Sequence, residues 1–483
     1  MNTDSTKWLK LRSGTDIRGR EEQLTDEVNR RIGYAFACLL AEKLETTPDK
    51  LTIAVGRDAR PSGARILAAL RRGITSADSD VVDGDLCARP ALFMRTQIHI
   101  PDGSIEGAVM VTGGDTPEDL NGFKFITCRG GLKEADIDAL LRFAAACEVP
   151  ERLVTRTGLM DIYREYLIAR AAVLLCDEAL KPLLGLYVAV AVDNYGGVFF
   201  ADLLEGLGAD IERINEADME AAIPRLGVDM GFSFDDDCSR GWLWDGAGRA
   251  IDGNRMIALV AAMLLDTHPG LTLVTDSVTS TGLSAFIAEW GGVHYRFKRG
   301  YRNVISEAIR LNEEGIDCPL AIETTGHAAF RENHFLDDGI YMALRIACRA
   351  LDCKREGKTV FDPLFDLSEP VEARTLRLRI LDEEDPAASS QEVVEVILSH
   401  TLVNPEWQRA SDSREGVRIT FNLDGGVNNA WFQLRMSVHD PILVLTAESD
   451  IPGGLKRMLT ALYALIRDTE LLDLEPLKRA IED

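Results

Sequence analysis

The stretch Asp235-Asp236-Asp237-Cys238-Ser239-Arg240 puts three adjacent carboxylates in one polar loop. Such carboxylates repel one another unless a cation or an arginine stands among them. Asp235 and Asp237 offer hard oxygen ligands of the kind Mg2+ takes, and Arg240 is placed to moderate the charge or to hold a phosphate. Cys238 is too soft for Mg2+, and nothing nearby suggests zinc. Taken alone, the loop reads first as a solvated acidic turn. Glu323-Thr324-Thr325-Gly326-His327 sets a carboxylate and two hydroxyls before a glycine turn, a set suited to sugar hydroxyls. His327 is an acid, a base, a donor or simply a structural histidine. Arg435-Met436-Ser437-Val438-His439-Asp440-Pro441 combines arginine, serine and a turn, as a phosphate clamp or an ordinary hairpin would. Near the N-terminus, Leu11 to Arg20 (LRSGTDIRGR) carries Arg12, Arg18 and Arg20 in a glycine-containing loop. Val111 to Phe125 (VTGGDTPEDLNGFKF) reads as a strand end, a polar turn and a return strand.

Composition limits what these loops serve. The formal net charge of −25 argues against a nucleic-acid partner, which needs a basic face to neutralise phosphates. A small anionic substrate remains compatible, because a local pocket can be basic on an acidic protein. The nine cysteines include no C-x-x-C pair, which points to reduced thiols rather than a disulfide frame. No apolar run reaches the roughly 18–20 residues of a membrane span, and the first residues lack a signal-peptide pattern. The expected location is cytoplasmic, with no membrane partner.

The elements that must position these loops alternate between strand and helix. Thr25 is placed to N-cap a helix carrying Ile32, Phe36, Leu39 and Leu40 at helical spacing. Leu51 to Val55 reads as a buried strand, followed by the loop Gly56 to Gly63 (GRDARPSG) and a helix from Ala64 to Arg72. Gly107 to Val111 is a strand, Ala135 to Cys147 a closing helix and Glu148 to Arg156 a linker. A second unit has strands at Leu186–Val192 and Met230–Phe234 and a helix at Gly253–Leu265. A third has strands at Leu271–Thr275 and Leu320–Glu323, with helices at Thr281–Trp290, Asn303–Asn312 and Asp337–Leu351. Lys354 to Glu372 reads as a linker. Beyond it, an α+β pattern has strands at Leu376–Ile380, Val417–Phe421, Trp431–Arg435 and Ile442–Ala447, and helices at Gln391–Leu398 and Gly454–Ile466. In α/β sheets, ligands gather at strand C-termini, where these loops fall.

In their order along the chain, SGTDIRG, GRDARPSG, NGFKF, the aspartate loop, ETTGH and the arginine–serine loop resemble the α-D-phosphohexomutase family of phosphomannomutases, phosphoglucomutases and phosphoglucosamine mutases. The resemblance implies an α/β protein of four domains around a central cleft. Three are similar α/β domains, 1–154, 155–267 and 268–365, and the fourth, 366–483, is a smaller C-terminal α+β domain. It implies a phosphotransferase-type isomerase of carbohydrate metabolism that binds hexose phosphates as monomer or homodimer. A phosphoserine would donate its phosphoryl group, with Mg2+ held by three aspartates of a D-G-D-x-D-R loop. Carried over, the catalytic positions are Thr112, Gly114, Asp115, Arg18 and Lys124. The metal positions are Asp235, Asp237 and Ser239; the sugar positions are Glu323, Thr325, Gly326 and His327; the phosphate positions are Arg240, Arg435, Ser437 and His439. The departures fall on the chemistry. Against the family's T-A-S-H-x-P, Gly114 stands at the serine and Asp115 at the histidine. Ser239 stands where the third metal aspartate belongs. Three expectations follow: a sugar-phosphate-binding or regulatory paralogue without turnover; a mutase whose acceptor is Thr112, Thr116 or Asp115, or whose phosphoryl group comes from a bound sugar bisphosphate; or a purely structural protein.

Overall fold

The computed structural model describes residues 7–98, 103–150, 159–177, 180–382, 384–437 and 440–482. The chain divides into two compact units: 1–252 with 325–360, and 253–324 with 361–483.

The first unit opens on a seven-stranded sheet. Its order is Arg12–Ser13, Asp16–Arg20, Leu120–Thr127, Gly107–Val111, Thr52–Arg57, Asp80–Leu86, with Gly130–Gly131 beside Leu120–Thr127. Thr52–Arg57 runs parallel to both of its neighbours, and Leu120–Thr127 returns antiparallel to Gly107–Val111. Alternate side chains of the central strands face opposite ways. Ile53, Val55, Val109 and Val111 join Phe36 and Leu40 in one core, while Ala54, Ala108 and Met110 join Leu92 and Leu159 in another. Both faces are therefore covered, the usual condition of a parallel core.

Helix Asp26–Lys43 starts at Thr25, whose hydroxyl accepts from the Val28 amide at 3.3 Å, and has Asp26 and Glu27 in its first turn. Negative charge there offsets the unpaired amides. It packs on helix Gly63–Ser76 at glycine contacts. A Cβ on Gly73 would lie 1.9 Å from the Arg30 carbonyl oxygen, and one on Gly33 2.2 Å from that of Leu70.

A second sheet in this unit orders as Ala250–Ile251, Gly241–Asp245, Met230–Phe234, Tyr187–Ala191, Asp210–Ile214. Met230–Phe234 and Asp210–Ile214 flank Tyr187–Ala191 in parallel. The hairpin Ala328–Phe330 with Leu336–Asp337 and the helix Gly339–Arg355, N-capped by Asp338, complete the unit.

The second unit holds a parallel trio, Val293–Arg296, Thr272–Thr275 and Leu320–Ile322. It also holds an antiparallel sheet ordered Glu372–Arg379, Ile442–Ser449, Ala430–Met436, Val417–Phe421, Gln408–Arg409. Helices Pro386–Thr401 and Gly454–Ile466 supply Val393, Ile397, Leu459 and Leu462 to its core. The α/β and α+β expectations therefore match the observed sheets.

Element limits differ in several places. The helix expected at Gln391–Leu398 spans Pro386–Thr401, because Asp385 caps it and Pro386 fits the first turn. The linker expected from Lys354 to Glu372 is partly ordered: a helix runs to Arg355, a short 3-10 turn covers Asp362–Asp366 and a strand begins at Glu372. Most of the linker expected over Glu148 to Arg156 lies outside the described residues. Helices Arg89–Gln97 and Leu159–Leu175 were not read from the pattern. The first buries Arg89, Arg95 and Thr96 beside its apolar residues, which blurs the helical period.

Gly73→Ala is expected to cost about 2 kcal/mol or more in urea unfolding, because the methyl meets backbone that cannot swing aside. The exposed control Ala68→Ser should stay within about 0.5 kcal/mol.

Candidate functional site

The loop after Gly107–Val111 is shaped by two residues that the sequence reading left without a role, Asp58 and Arg60. Asp58 is 1% exposed, and its carboxylate accepts from Thr112 Oγ1 at 2.7 Å, the Gly113 amide at 3.3 Å and the Arg60 amide at 3.0 Å. Burial nonetheless pushes its carboxyl above the ordinary range. The Arg60 guanidinium donates to the carbonyls of Gly114, Thr116, Pro117 and Leu120 at 2.6–2.9 Å. Gly113 lets it approach: a Cβ there would lie 2.3 Å from Arg60 Cζ. The loop hydroxyls are committed. Thr112 Oγ1 also accepts from the Gly114 amide at 2.8 Å, and Thr116 Oγ1 donates to the Gly113 carbonyl at 2.9 Å. Gly114 has φ +62°, a left-handed conformation that glycine adopts at no steric cost.

The acidic loop meets these residues within the same unit, and each of its three carboxylates is engaged. Asp236 pairs with Arg60 at 3.0 Å, and Asp237 Oδ2 takes Lys124 Nζ at 2.6 Å. Ser239 Oγ lies 2.7 Å from Asp237 Oδ1 and 3.2 Å from Asp235 Oδ2, its one proton shared between them. Asp235 Oδ1 accepts from the Arg240 amide at 3.0 Å. Charge crosses in the other direction as well, since Arg240 Nη1 grips the carboxylate of Asp115. Burial and the neighbouring Asp237 charge push the Asp235 carboxyl up to about 7. Burial acts the same way on Asp237, but the Lys124 and Arg89 charges outweigh it and hold that carboxyl far below the usual range. For Asp115, the Arg240 hydrogen bond and charge outweigh desolvation, and its carboxyl is lowered.

The ETTGH motif is divided by the chain's passage between units. Glu323 and Thr324 belong to the second unit, and Thr325, Gly326 and His327 to the first. His327 is 5% exposed; its Nε2 accepts from Arg240 Nε at 2.9 Å and its Nδ1 faces Asp337 Oδ2 at 2.8 Å. Asp337 in turn pairs with Arg89. These partners assign the proton to Nδ1, and burial lowers the imidazole pKa despite Asp337. The Gly326 carbonyl accepts from the Gly241 amide at 3.3 Å.

In the second unit, Glu323 Oε1 accepts from the Gly300 amide at 2.5 Å, and Thr324 Oγ1 donates to Asp276 at 2.6 Å. Arg435 is 8% exposed, its Nε buried without a hydrogen-bond partner among the described residues. The Ser437 amide donates to the Ile442 carbonyl at 2.8 Å. His439 lies outside the described residues.

Two domain descriptions of one family match this chain: phosphoglucomutase/phosphomannomutase α/β/α domain I over residues 10–145 and domain III over residues 252–367. The chain belongs to the α-D-phosphohexomutase family. A phosphoglucomutase of Neisseria gonorrhoeae is 27% identical over 481 residues, covering 93% of this chain and 95% of its own. A phosphoglucomutase/phosphomannomutase family protein of Burkholderia thailandensis shares the fold with a TM-score of 0.77 at 21% identity, covering 97% of this chain and 98% of its own. The Aspergillus fumigatus N-acetylphosphoglucosamine mutase, solved with GlcNAc-6P and magnesium, has a TM-score of 0.59 at 13% identity over 97% and 99% of the two chains. No helix among the described residues is long and apolar enough to cross a membrane.

A resident Mg2+, as seen in that Aspergillus relative of the phosphohexomutase fold, does not fit the donor set here. Among the described residues no group of three or more His, Cys, Asp or Glu side chains is arranged to hold a metal. Only Asp235 and Asp237 of the three loop positions are carboxylates. Lys124 already neutralises Asp237, and the Ser239 hydroxyl points its proton at the pair. A neutral hydroxyl is a weaker ligand than the hard anionic oxygen Mg2+ favours.

Lys124→Met is expected to cost about 3–5 kcal/mol in denaturant unfolding, because it strands a buried carboxylate. Lys124→Met with Asp237→Asn should recover much of that loss; a strictly additive double variant would contradict the pairing. The lowered His327 pKa gives a pH test. The folded imidazole stays neutral while the unfolded one binds a proton below its ordinary value of 6.5, so stability is lost as pH falls through that value. The Tm advantage of the wild type over His327→Gln should therefore shrink between about pH 7.5 and about pH 5.5.

Proposed function

We propose that this phosphohexomutase-family chain binds hexose phosphates without running a phosphoserine relay. The observation that carries this reading is Gly114, which offers no oxygen at the matched serine position, in a loop whose threonine hydroxyls are spent on Asp58 and the Gly113 carbonyl. Phosphoryl transfer relies on positioning and charge neutralisation around a nucleophile. Here the cations Arg18, Arg60, Lys124 and Arg240 are kept, and the nucleophile is not. The same reading gives Mg2+ a weak or dispensable role, Lys124 supplying the cation that faces Asp237. It also keeps the four domains 1–154, 155–267, 268–365 and 366–483 and a monomeric or homodimeric protein.

One observation favours a second reading. Asp115 is half exposed and held as an anion by Arg240. A carboxylate oxygen can attack phosphorus, release the sugar oxygen and carry the group as an acyl phosphate. Against it, Asp115 stands one residue from the matched position, and a misplacement of ~1 Å can cost about a hundredfold.

Glucose 1-phosphate or mannose 1-phosphate, given with Mg2+ and a trace of the matching 1,6-bisphosphate, is expected to raise Tm and yield no isomerised product. Product formation abolished by Asp115→Ala would replace the first reading by the second; no thermal shift and no product would leave a structural protein. Ser239→Asp is expected to strengthen Mg2+ binding by calorimetry about tenfold or more, since it adds an anionic ligand.

A further inference from the structure

Gly114 changes what its surroundings can hold. The point where a Cβ would stand lies 3.3 Å and 3.5 Å from the two terminal nitrogens of Arg18 and 3.7 Å from Lys124 Nζ. Two cations thus converge on a space that any other residue would fill with carbon. An anionic oxygen seated a few tenths of an ångström nearer the nitrogens would reach hydrogen-bond distance, whereas a methyl group gains nothing there. Arg18 Nη2 is engaged by Asp16 at 3.1 Å, whereas Nη1 is buried with no hydrogen-bond partner among the described residues. A buried guanidinium nitrogen left unpaired costs free energy that a ligand oxygen can return. The Lys124 ammonium has three protons and donates to Asp237, which leaves donors for a second anion. The cradle is assembled by strand register. Arg18 lies opposite Gly122 on the neighbouring strand, Lys124 follows two residues later, on the same face as Gly122, and Arg60 holds the Gly114 carbonyl at 2.7 Å.

We propose that the Gly114 cradle binds a phosphate oxyanion non-covalently, one oxygen seated between Arg18 and Lys124 where a side chain at position 114 would otherwise begin. The ligand is a phosphate monoester or inorganic phosphate, the two sharing the chemistry that the cradle recognises. This rests on the reading that the chain binds hexose phosphates, and adds that the missing side chain is itself part of the binding surface. Installing serine at Gly114 therefore closes the cradle instead of restoring a nucleophile, and the left-handed backbone there adds strain for a residue with a Cβ.

The test is calorimetric titration of the full chain with inorganic phosphate and, separately, with glucose 1-phosphate. Wild type, Gly114→Ala and Arg18→Gln are compared with Gly315→Ala, a left-handed glycine in open space that controls for backbone strain. Wild type and Gly315→Ala are expected to bind inorganic phosphate alike, and Gly114→Ala and Arg18→Gln each at least tenfold more weakly. Should Gly114→Ala fail to fold, Arg18→Gln alone decides. No phosphate binding by the wild type, or undiminished binding by the variants, overturns the cradle. Glucose 1-phosphate binding equally well to wild type and Gly114→Ala also overturns it while leaving hexose-phosphate binding standing. Isomerised product in the turnover assay overturns the proposed function, and the phosphate titration still judges the cradle.

Discussion

The first unit's site depends on one buried guanidinium. Arg60 is 6% exposed and donates to four carbonyls of the loop between Val111 and Leu120, then reaches the carboxylate of Asp236. A planar fork with five donors suits this task, and a lysine, a compact point charge, cannot span the same acceptors. The loop's own backbone bonds are two short turns, Thr116 to Gly113 at 3.4 Å and Leu120 to Pro117 at 3.0 Å; Arg60 and Asp58 tie those turns to the strand before them. That accounts for Gly113, where any Cβ would collide with the guanidinium. The geometry of position 114 therefore descends from a residue 54 positions earlier in the chain.

Around that clamp, charge is arranged in opposed pairs. Lys124 and Arg60 reach Asp237 and Asp236, and Arg240 reaches back to Asp115. Buried ions are tolerated only when paired and further hydrogen-bonded, and Asp237 meets both conditions through Lys124 and Ser239. The acidic loop is organised by a lysine, a serine and two arginines. His327 joins the same network between Arg240 and Asp337, which holds its ring in place and spends both nitrogens.

The sequence made some of this legible and hid the rest for physical reasons. Strand Met230–Phe234 and the cap at Thr25 follow from local pattern, because apolar alternation and capping chemistry act over a few residues. The loops that mark the family could be picked out because their side chains carry charge at fixed spacing. Asp58 and Arg60 lay in plain view in GRDARPSG, yet their roles are contacts more than 50 residues away, which no local pattern encodes. A charged pair just past a strand C-terminus was the available signal. The sequence alone presents Ser239 as a metal position without its carboxylate; only the geometry shows its hydroxyl joining two carboxylates. Helix Arg89–Gln97 has no clear helical period in its sequence because its polar residues are buried alongside its apolar ones.

The reversal of sign between Asp115–Arg240 and the other two pairs has a consequence for how the chain can change. Replacing Asp115 alone, for instance by the histidine of the family's T-A-S-H-x-P turn, would remove the anion that Arg240 grips and with it the ionic tie between the turn and the acidic loop. The family pattern sets a histidine turn beside an arginine loop, so this tie is a property of the present chain, added by a single residue and not required by the fold.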